Sequence, residues 1–131
     1  MKFKPAPDVQ IQIHNLVFGL NLSHVLADKL VCMRSWGSKS RAVARIWSLP
    51  RVWQQALGVS PHYVIEVISE RFDRMSDEEK EKILIHELLH VPKTFSGSLV
   101  PHKCFGKKID RRRVDELYRD YKSKLRLQRE N

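Results

Sequence analysis

The stretch Ile85-His86-Glu87-Leu88-Leu89-His90 places two histidines four residues apart, with a glutamate directly after the first. Side chains four residues apart project from the same face of an α-helix, about one turn apart, so both imidazoles can reach one metal ion. The glutamate between them can contact a water molecule on that ion. This HExxH spacing predicts a zinc site built on one helix.

The residues before the motif mark the start of that helix. Ser76 is a favourable N-cap, and Glu79 three residues later completes a capping box. We expect the helix to end near Val91, because Pro92 disfavours helical backbone before it and cannot donate a hydrogen bond. Apolar residues surround the axis, which predicts a helix buried on most sides; they are Ile83, Leu84, Ile85, Leu88 and Leu89.

A catalytic zinc usually has three protein ligands and one open position, so one ligand is still missing. The nearest candidate is His102, which follows a segment rich in proline and glycine that can fold the chain back towards the helix. Cys104 is its closest alternative, because a thiolate is a good zinc ligand. Acidic residues further along the chain stay open as well: Asp110, Asp115 and Glu116.

Length and composition favour a single domain over residues 1–131, with an extended lead at 1–7 and a frayed tail at 126–131. No apolar run is long enough to span a bilayer, and the N-terminus lacks the apolar core of a signal peptide. We therefore expect a cytoplasmic protein with no membrane association. The cysteines, Cys32 and Cys104, match no CxxC pattern and cannot form a disulfide framework, while a single bridge between them stays open.

The net charge of +9 is unevenly distributed. Between residues 29 and 65 six basic residues occur without one acidic residue: Lys29, Arg34, Lys39, Arg41, Arg45 and Arg51. The C-terminal region is also basic, but its acidic residues make much of it typical of a solvated helix face. Basic faces of this kind make nucleic acid a possible partner. The sequence does not determine the oligomeric state.

Periodicity predicts an α+β fold. A small sheet of about three strands would pack with an N-terminal helix, the HExxH helix and a long C-terminal helix. The predicted helices are residues 9–18, capped by Asp8, residues 51–57, the HExxH helix and residues 110–128; the predicted strands are residues 30–34, 42–47 and 63–68. Trp36 falls in a predicted loop. The strand at 63–68, or its neighbour, is a candidate to receive a substrate backbone as an added strand.

Three segments carry a resemblance to a known family: residues 66–73, residues 86–92 and Val100-Pro101-His102. They resemble the small metallopeptidases of prokaryotes and phages in the zincin-like group, and the likeness extends less specifically over residues 34–59. The chain is more distantly similar to SprT-like proteases. The resemblance implies a compact zincin-like fold, one zinc ion bound by His86, His90 and His102, and Glu87 as the catalytic base.

These observations predict a zinc-dependent metallopeptidase acting on a peptide or protein substrate. Glu87 would take a proton from a water activated by zinc and pass it to the leaving amine. A further donor should stabilise the oxyanion, and the candidates are Tyr118, Tyr121 and Arg111 to Arg113. The alternative is a zinc-stabilised nucleic-acid-binding domain without catalytic activity, in which a fourth protein ligand such as Cys104 closes the metal site.

Overall fold

The structure is a computed structural model that describes residues 1–104 and 107–130, except for the side chains of residues 103–108 and 130. Its elements alternate between strands and helices, and the predicted α+β class is confirmed. In chain order they are β1 (Lys2–Pro5), α1 (Pro7–Gly19), β2 (Leu30–Trp36), β3 (Ala44–Ser48), α2 (Arg51–Leu57), β4 (Tyr63–Ile68), α3 (Ser69–Phe72), α4 (Asp77–Leu88), β5 (Lys103–Cys104), β6 (Lys107–Lys108) and α5 (Arg111–Glu130). A 3-10 turn, Ala27–Lys29, precedes β2.

The main sheet is mixed and has the strand order β1-β2-β4-β3. β2 and β4 are parallel, whereas β1 and β3 are antiparallel edge strands. The sheet has four strands where about three were predicted, because residues 2–5 of the expected lead pair with β2. The strand pattern of these four residues is weak, and Pro5 is tolerated because it lies at the end of an edge strand.

The helices pack on one face of this sheet. Alternate residues of β4 (Tyr63, Ile65 and Val67) are buried on that face together with the apolar side of α1 and the inner side of α4. This alternation places the remaining side chains of β4 on the opposite face. The core therefore lies between the sheet and a single helical layer.

The start of α1 differs from the prediction. Asp8 is not the N-cap; the helix begins after Ala6, and Pro7 stands in the first turn. Pro7 has the backbone angle that a first helical turn needs and has no amide hydrogen to satisfy. Asp8 instead accepts two hydrogen bonds from the Arg34 guanidinium, at 2.6 and 2.9 Å, and thereby ties α1 to β2.

β2 is longer than predicted and ends at Trp36, so this residue is not in a loop. The extension exists because Ser35 and Trp36 find partners in β1, which the sequence did not reveal. α2 and β4 have the predicted bounds. α5 extends to Glu130 and so includes most of the tail that was expected to fray. Within the described residues, no helix combines the length and the apolar character that crossing a bilayer requires.

α5 packs against α4 and α1, and its close contact with α1 depends on one glycine. A Cβ atom at Gly19 would lie 2.6 Å from Cε1 of the buried Tyr121 ring. The Lys124 ammonium also donates to the Gly19 carbonyl oxygen at 3.2 Å. The absence of a side chain at Gly19 therefore lets α5 approach the last turn of α1.

We predict that Gly19→Ala lowers the free energy of unfolding by about 1–3 kcal/mol, because the methyl group displaces a buried ring. Helix propensity alone would have the opposite sign, since alanine in a helix is favoured over glycine by about 0.5–1 kcal/mol. Denaturant titration measures the difference. Asn15→Ala, at an exposed position of α1, is the matched control. A Gly19→Ala variant as stable as that control would contradict the close approach.

Candidate active site

α4 begins as the sequence predicts and ends earlier. The Ser76 side chain accepts the Glu79 backbone amide hydrogen at 3.2 Å, which forms the predicted cap. The regular helix ends at Leu88, three residues before Val91. The chain then continues in a tighter turn, in which the His90 amide donates to the Glu87 carbonyl oxygen at 3.1 Å. His90 thus lies just beyond the helix that carries His86 and Glu87.

The segment after α4 returns to His90 and is held there at both the backbone and the side chain. The Val100 amide donates to the His90 carbonyl oxygen at 2.7 Å, and His90 Nδ1 lies 2.5 Å from the Val100 carbonyl oxygen. Since only a protonated Nδ1 can donate to that carbonyl, Nε2 of the neutral ring is left as the free acceptor. A backbone contact of this kind orients a histidine for metal binding.

A buried tyrosine fixes the middle of the same segment. The Tyr63 hydroxyl group, in the first residue of β4, accepts from the Gly97 amide at 2.9 Å and donates to the Ser98 carbonyl oxygen at 2.8 Å. Gly97 has a φ of 95°, in the left-handed region that favours glycine. The central strand and the returning segment are therefore joined directly, which sets where His102 lies.

The return brings three histidines together. Ring nitrogens of His86, His90 and His102 lie within 4.8 Å of one another, and Nε2 of His86 is 3.2 Å from Nε2 of His102. Two nitrogens bound to one tetrahedral zinc ion are about 3.3 Å apart, as zinc–nitrogen bonds of about 2.0–2.1 Å require. The donor set therefore fits a zinc ion, and the separation of His86 and His102 matches that of two bound nitrogens. That these residues are the ligands stays a prediction.

Burial favours the neutral form of the histidines. The pKa of His86 is lowered chiefly by burial and further by the charges of His90 and His102. Burial also lowers the pKa of His90, against the opposing effect of its hydrogen bond to Val100. Neutral imidazole is the form that binds metal ions, so these shifts favour binding at neutral pH.

Glu87 is buried beside these histidines, with 6% of its surface exposed. Its Oε2 atom has no hydrogen-bond partner among the described residues. Burial raises the pKa of Glu87 from 4.5 to about 7. An unpaired buried carboxylate oxygen is costly, and it is the kind of group that a reacting water or a cation would satisfy.

The histidines and Glu87 lie in an open groove of about 940 Å³. One wall is the edge strand β3 with the residue before it, and the other is the start of α5. The sequence predicted that β4 or its neighbour receives a substrate backbone, and β4 itself is flanked on both sides by β2 and β3. Its neighbour β3, the alternative in that prediction, has a free edge in the described sheet.

The other candidate ligands contact other partners, or their side chains are not among those that the structure describes. Asp110 caps α5 by accepting from the Arg113 amide at 3.0 Å. Asp115 lines the groove but pairs with Lys82 at 3.1 Å, and Glu116 pairs with Arg112 and Arg113. The side chain of Cys104 lies outside the described residues. Among the described residues, the potential metal ligands that lie close together are His86, His90 and His102.

The sequence does not predict most of the groove around the HExxH motif. It did not identify Tyr63 as the anchor of the returning segment, since a tyrosine at the start of a strand is ordinary. It also did not reveal that Arg45, Lys82 and Asp115 line the same groove as the histidines. The runs of charge were visible, but which of these residues face the site depends on strand order and helix packing.

We predict that Glu87→Gln makes the stability of the metal-free protein less sensitive to rising pH. The folded-state pKa of Glu87 is raised to about 7, so folding stability is lost as pH rises from 4.5 towards 7. This loss is absent in the glutamine variant. Between about pH 5 and pH 8 the difference in free energy of unfolding should shift in favour of the variant by up to about 3 kcal/mol.

Chemical denaturation across this pH range, in the presence of a chelator, measures the shift. Glu78→Gln removes a carboxylate from an exposed position in the first turn of the same helix and is the control. Parallel pH profiles for wild type and Glu87→Gln would show that Glu87 is not held in a desolvated site.

Comparison with known proteins gives one match. Neither the curated proteins nor the solved structures contain a significant match to the chain. A family model described as "Putative phage metallopeptidase" matches residues 1–124, which include the three histidines and Glu87. The match confirms the resemblance drawn from the sequence, and leaves the more distant similarity to SprT-like proteases a prediction. The chain therefore belongs to the putative phage metallopeptidase family, which indicates a metal-dependent peptidase.

Proposed function

We propose that the protein is a zinc-dependent metallopeptidase in which His86, His90 and His102 hold one zinc ion and Glu87 is the general base. The observation that carries the proposal is the convergence of three ring nitrogens within 4.8 Å in an open groove. Glu87 supports it because its unpaired oxygen is buried at the same place. Family membership supports the class of reaction.

When bound, zinc would lower the pKa of a coordinated water and polarise the carbonyl group of the scissile bond. Glu87 then takes a proton from the attacking water and passes it to the leaving amine, which is the work of a general base and acid. Burial raises the pKa of Glu87 to about 7 in the metal-free protein, and the charge of a bound cation would lower it again, towards the ionised form that a base needs. The contact between Nδ1 of His90 and the Val100 carbonyl oxygen holds the imidazole ring in one orientation during the reaction.

The edge strand β3 supplies a place for the substrate backbone. Its outer edge has unpaired amide and carbonyl groups, and a peptide can add there as a fifth strand of the sheet. Apolar side chains line the groove near the histidines and favour an apolar substrate side chain; they are Val43, Ile46, Ile83, Leu99 and Val114. A peptide or protein segment in extended conformation is therefore the substrate class that fits.

Arg111 is the strongest candidate to stabilise the oxyanion. Three cations line the groove, and two of them are already neutralised: Arg45 pairs with Glu66 at 2.9 Å and Lys82 with Asp115 at 3.1 Å. Arg111 forms no ion pair with any side chain that the structure describes. An uncompensated cation is free to meet negative charge that develops on the substrate.

The other predicted candidates for this role are placed less well. Tyr121 is buried against Gly19, and Tyr118 contacts the ammonium groups of Lys82 and Lys122. Arg112 and Arg113 both pair with Glu116. None of these residues lines the described groove.

The test of the proposal is Glu87→Gln. The variant should bind one zinc ion per chain with the same affinity and lose hydrolysis of an unfolded protein substrate by about 100- to 10,000-fold. Metal analysis and cleavage of casein, followed by gel and by mass spectrometry, measure the two properties. His86→Ala should lose both, whereas His14→Ala, an exposed histidine of α1, should change neither.

Undiminished cleavage by Glu87→Gln would remove Glu87 from the mechanism. A metal site closed by four protein side chains, with no cleavage by the wild type, would support the alternative of a zinc-stabilised binding domain.

We predict that Arg111→Ala lowers kcat by about 100- to 1,000-fold with little change in zinc affinity, as loss of one oxyanion donor does in other hydrolases. Arg112→Ala is the matched control, since it removes the same charge from the adjacent residue, which points to solvent and pairs with Glu116. Steady-state kinetics of both variants on one peptide measures the effect. Equal losses in the two variants would show that only the general charge of this helix end matters.

A further inference from the structure

We propose that the sheet face turned away from the helices binds single-stranded nucleic acid, with Trp47 as the stacking platform. This binding site lies on a different face from the histidines, and Arg45 of β3 borders both the face and the groove. The face, here called the open face, consists of the side chains that alternate with the core-facing residues of the four strands. Its apolar members are Phe3, Pro5, Val31, Met33, Trp47, Val64 and Ile68.

The strand register places these residues on one surface. Trp47 of β3 and Val31 of β2 both lie opposite Val64 of β4, and Phe3 of β1 lies opposite Ser35 of β2. Residues directly opposite each other in neighbouring strands share a face of the sheet. Phe3, Val31 and Trp47 are each more than 40% exposed, so the described helices leave this part of the face uncovered. Ile68 and Ser35, at the end of the face next to α3, are buried.

A buried carboxylate fixes the position of Trp47. Glu66, 1% exposed, accepts a hydrogen bond from Trp47 Nε1 at 2.8 Å and another from Arg45 Nε at 2.9 Å. Ser35 donates to the same carboxylate at 2.5 Å. The pKa of Glu66 is lowered, because these hydrogen bonds and the charge of Arg45 outweigh the effect of burial, so the group stays ionised.

This network leaves the indole ring both fixed and accessible. Trp47 is 52% exposed although its one polar atom is satisfied, and the Arg45 guanidinium carbon lies 5.3 Å from the ring centroid. A buried ion pair contributes little net stability compared with apolar packing, so stability alone does not account for it. A rigid aromatic ring beside an arginine is what a nucleic-acid base stacks on.

Unpaired cations stand at both ends of the open face. Of the six basic residues between positions 29 and 65, Arg34 and Arg45 have acidic partners, whereas the other four form no ion pair with any described side chain. Lys29 and Arg51 adjoin the end where β4 begins, and Lys39 and Arg41 lie in the segment that joins β2 to β3 at the other end.

The segment that carries Lys39 and Arg41 is held in place. The Arg71 guanidinium donates to the carbonyl oxygens of Ser40 and Ala42. The acidic residues nearest in sequence to the two ends are Asp28 and Glu70, and Glu70 accepts from the Gly37 amide at 2.9 Å. A partner that crosses the face therefore meets positive charge at each end and apolar rings between them.

Single-stranded nucleic acid fits this pattern better than the other anionic partners. Its phosphates match cations at two ends of a surface, and its unpaired bases can stack on exposed aromatic rings. A DNA duplex keeps its bases stacked internally and would use only the cations. Phe3 and Trp47 lie on opposite edge strands, three strand spacings or about 14 Å apart across the sheet and four residues or about 13 Å apart along it. The nucleic-acid chain would therefore run diagonally over the face, from one pair of cations to the other.

Fluorescence anisotropy with a labelled 20-nucleotide thymidine oligomer, on the full chain with its metal, tests the proposal. We expect salt-dependent binding that Trp47→Ala weakens about 5- to 100-fold, as loss of one stacked base does. Phe18→Ala, an aromatic residue 80% exposed on α1, is the control and should not change the affinity. Circular dichroism checks that both variants are folded.

A second variant keeps the test decisive if Trp47→Ala unfolds. Replacing Lys39 and Arg41 by glutamate should weaken binding and lower the slope of log affinity against log salt by about 0.7 for each phosphate that the protein no longer neutralises. Replacing Arg126 and Arg129 of α5 by glutamate changes the net charge by the same amount and is the control. Equal effects of the two double variants, or equal affinity for single strands and duplex, would overturn the proposal.

Two further outcomes would also overturn it. Sedimentation that shows a dimer broken by Trp47→Ala would mean that a second copy of the chain covers the open face. Binding of an acidic peptide as tight as that of the oligomer would mean that charge alone selects the partner. Neither result depends on peptidase activity, so failure here is distinguishable from failure of the proposed function.

Discussion

The return of residues 97–102 onto the end of α4 is the constraint on which the site depends. Two histidines come from α4 and the turn after it, but the third comes from a segment with no regular structure of its own. Tyr63 and His90 hold that segment by hydrogen bonds to its backbone. The central strand, the helix and the loop are thereby joined at one point, and the three imidazoles meet there.

The pKa values of the site residues follow from their burial in the fold. The site sits where α4 packs over the sheet, and the same burial that lowers the pKa of His86 and His90 raises that of Glu87. All three residues are therefore shifted towards their neutral forms in the metal-free protein. A cation bound there would remove the cost of the Glu87 charge, since it supplies the missing opposite charge.

The parts of the structure that the sequence predicts well depend on local chemistry. Ser76 and Glu79 mark the start of α4, Gly58 ends α2, and the β-branched run at Tyr63–Ile68 forms β4. The parts that it misses depend on distant partners. β1 forms only because β2 is beside it, and the position of β3 at the edge of the sheet, with Arg45 and Trp47 facing away from the core, is a matter of strand order.

The end of α4 at Leu88 makes His90 part of the returning segment as much as of the helix. Both the backbone and the ring of His90 are bonded to Val100, two residues before His102. These contacts hold His90 and His102 in a fixed relation to each other. An insertion or deletion between residues 92 and 99 would change where Val100 and His102 return to His90, so the length of that segment sets the distance from His102 to the two histidines before it.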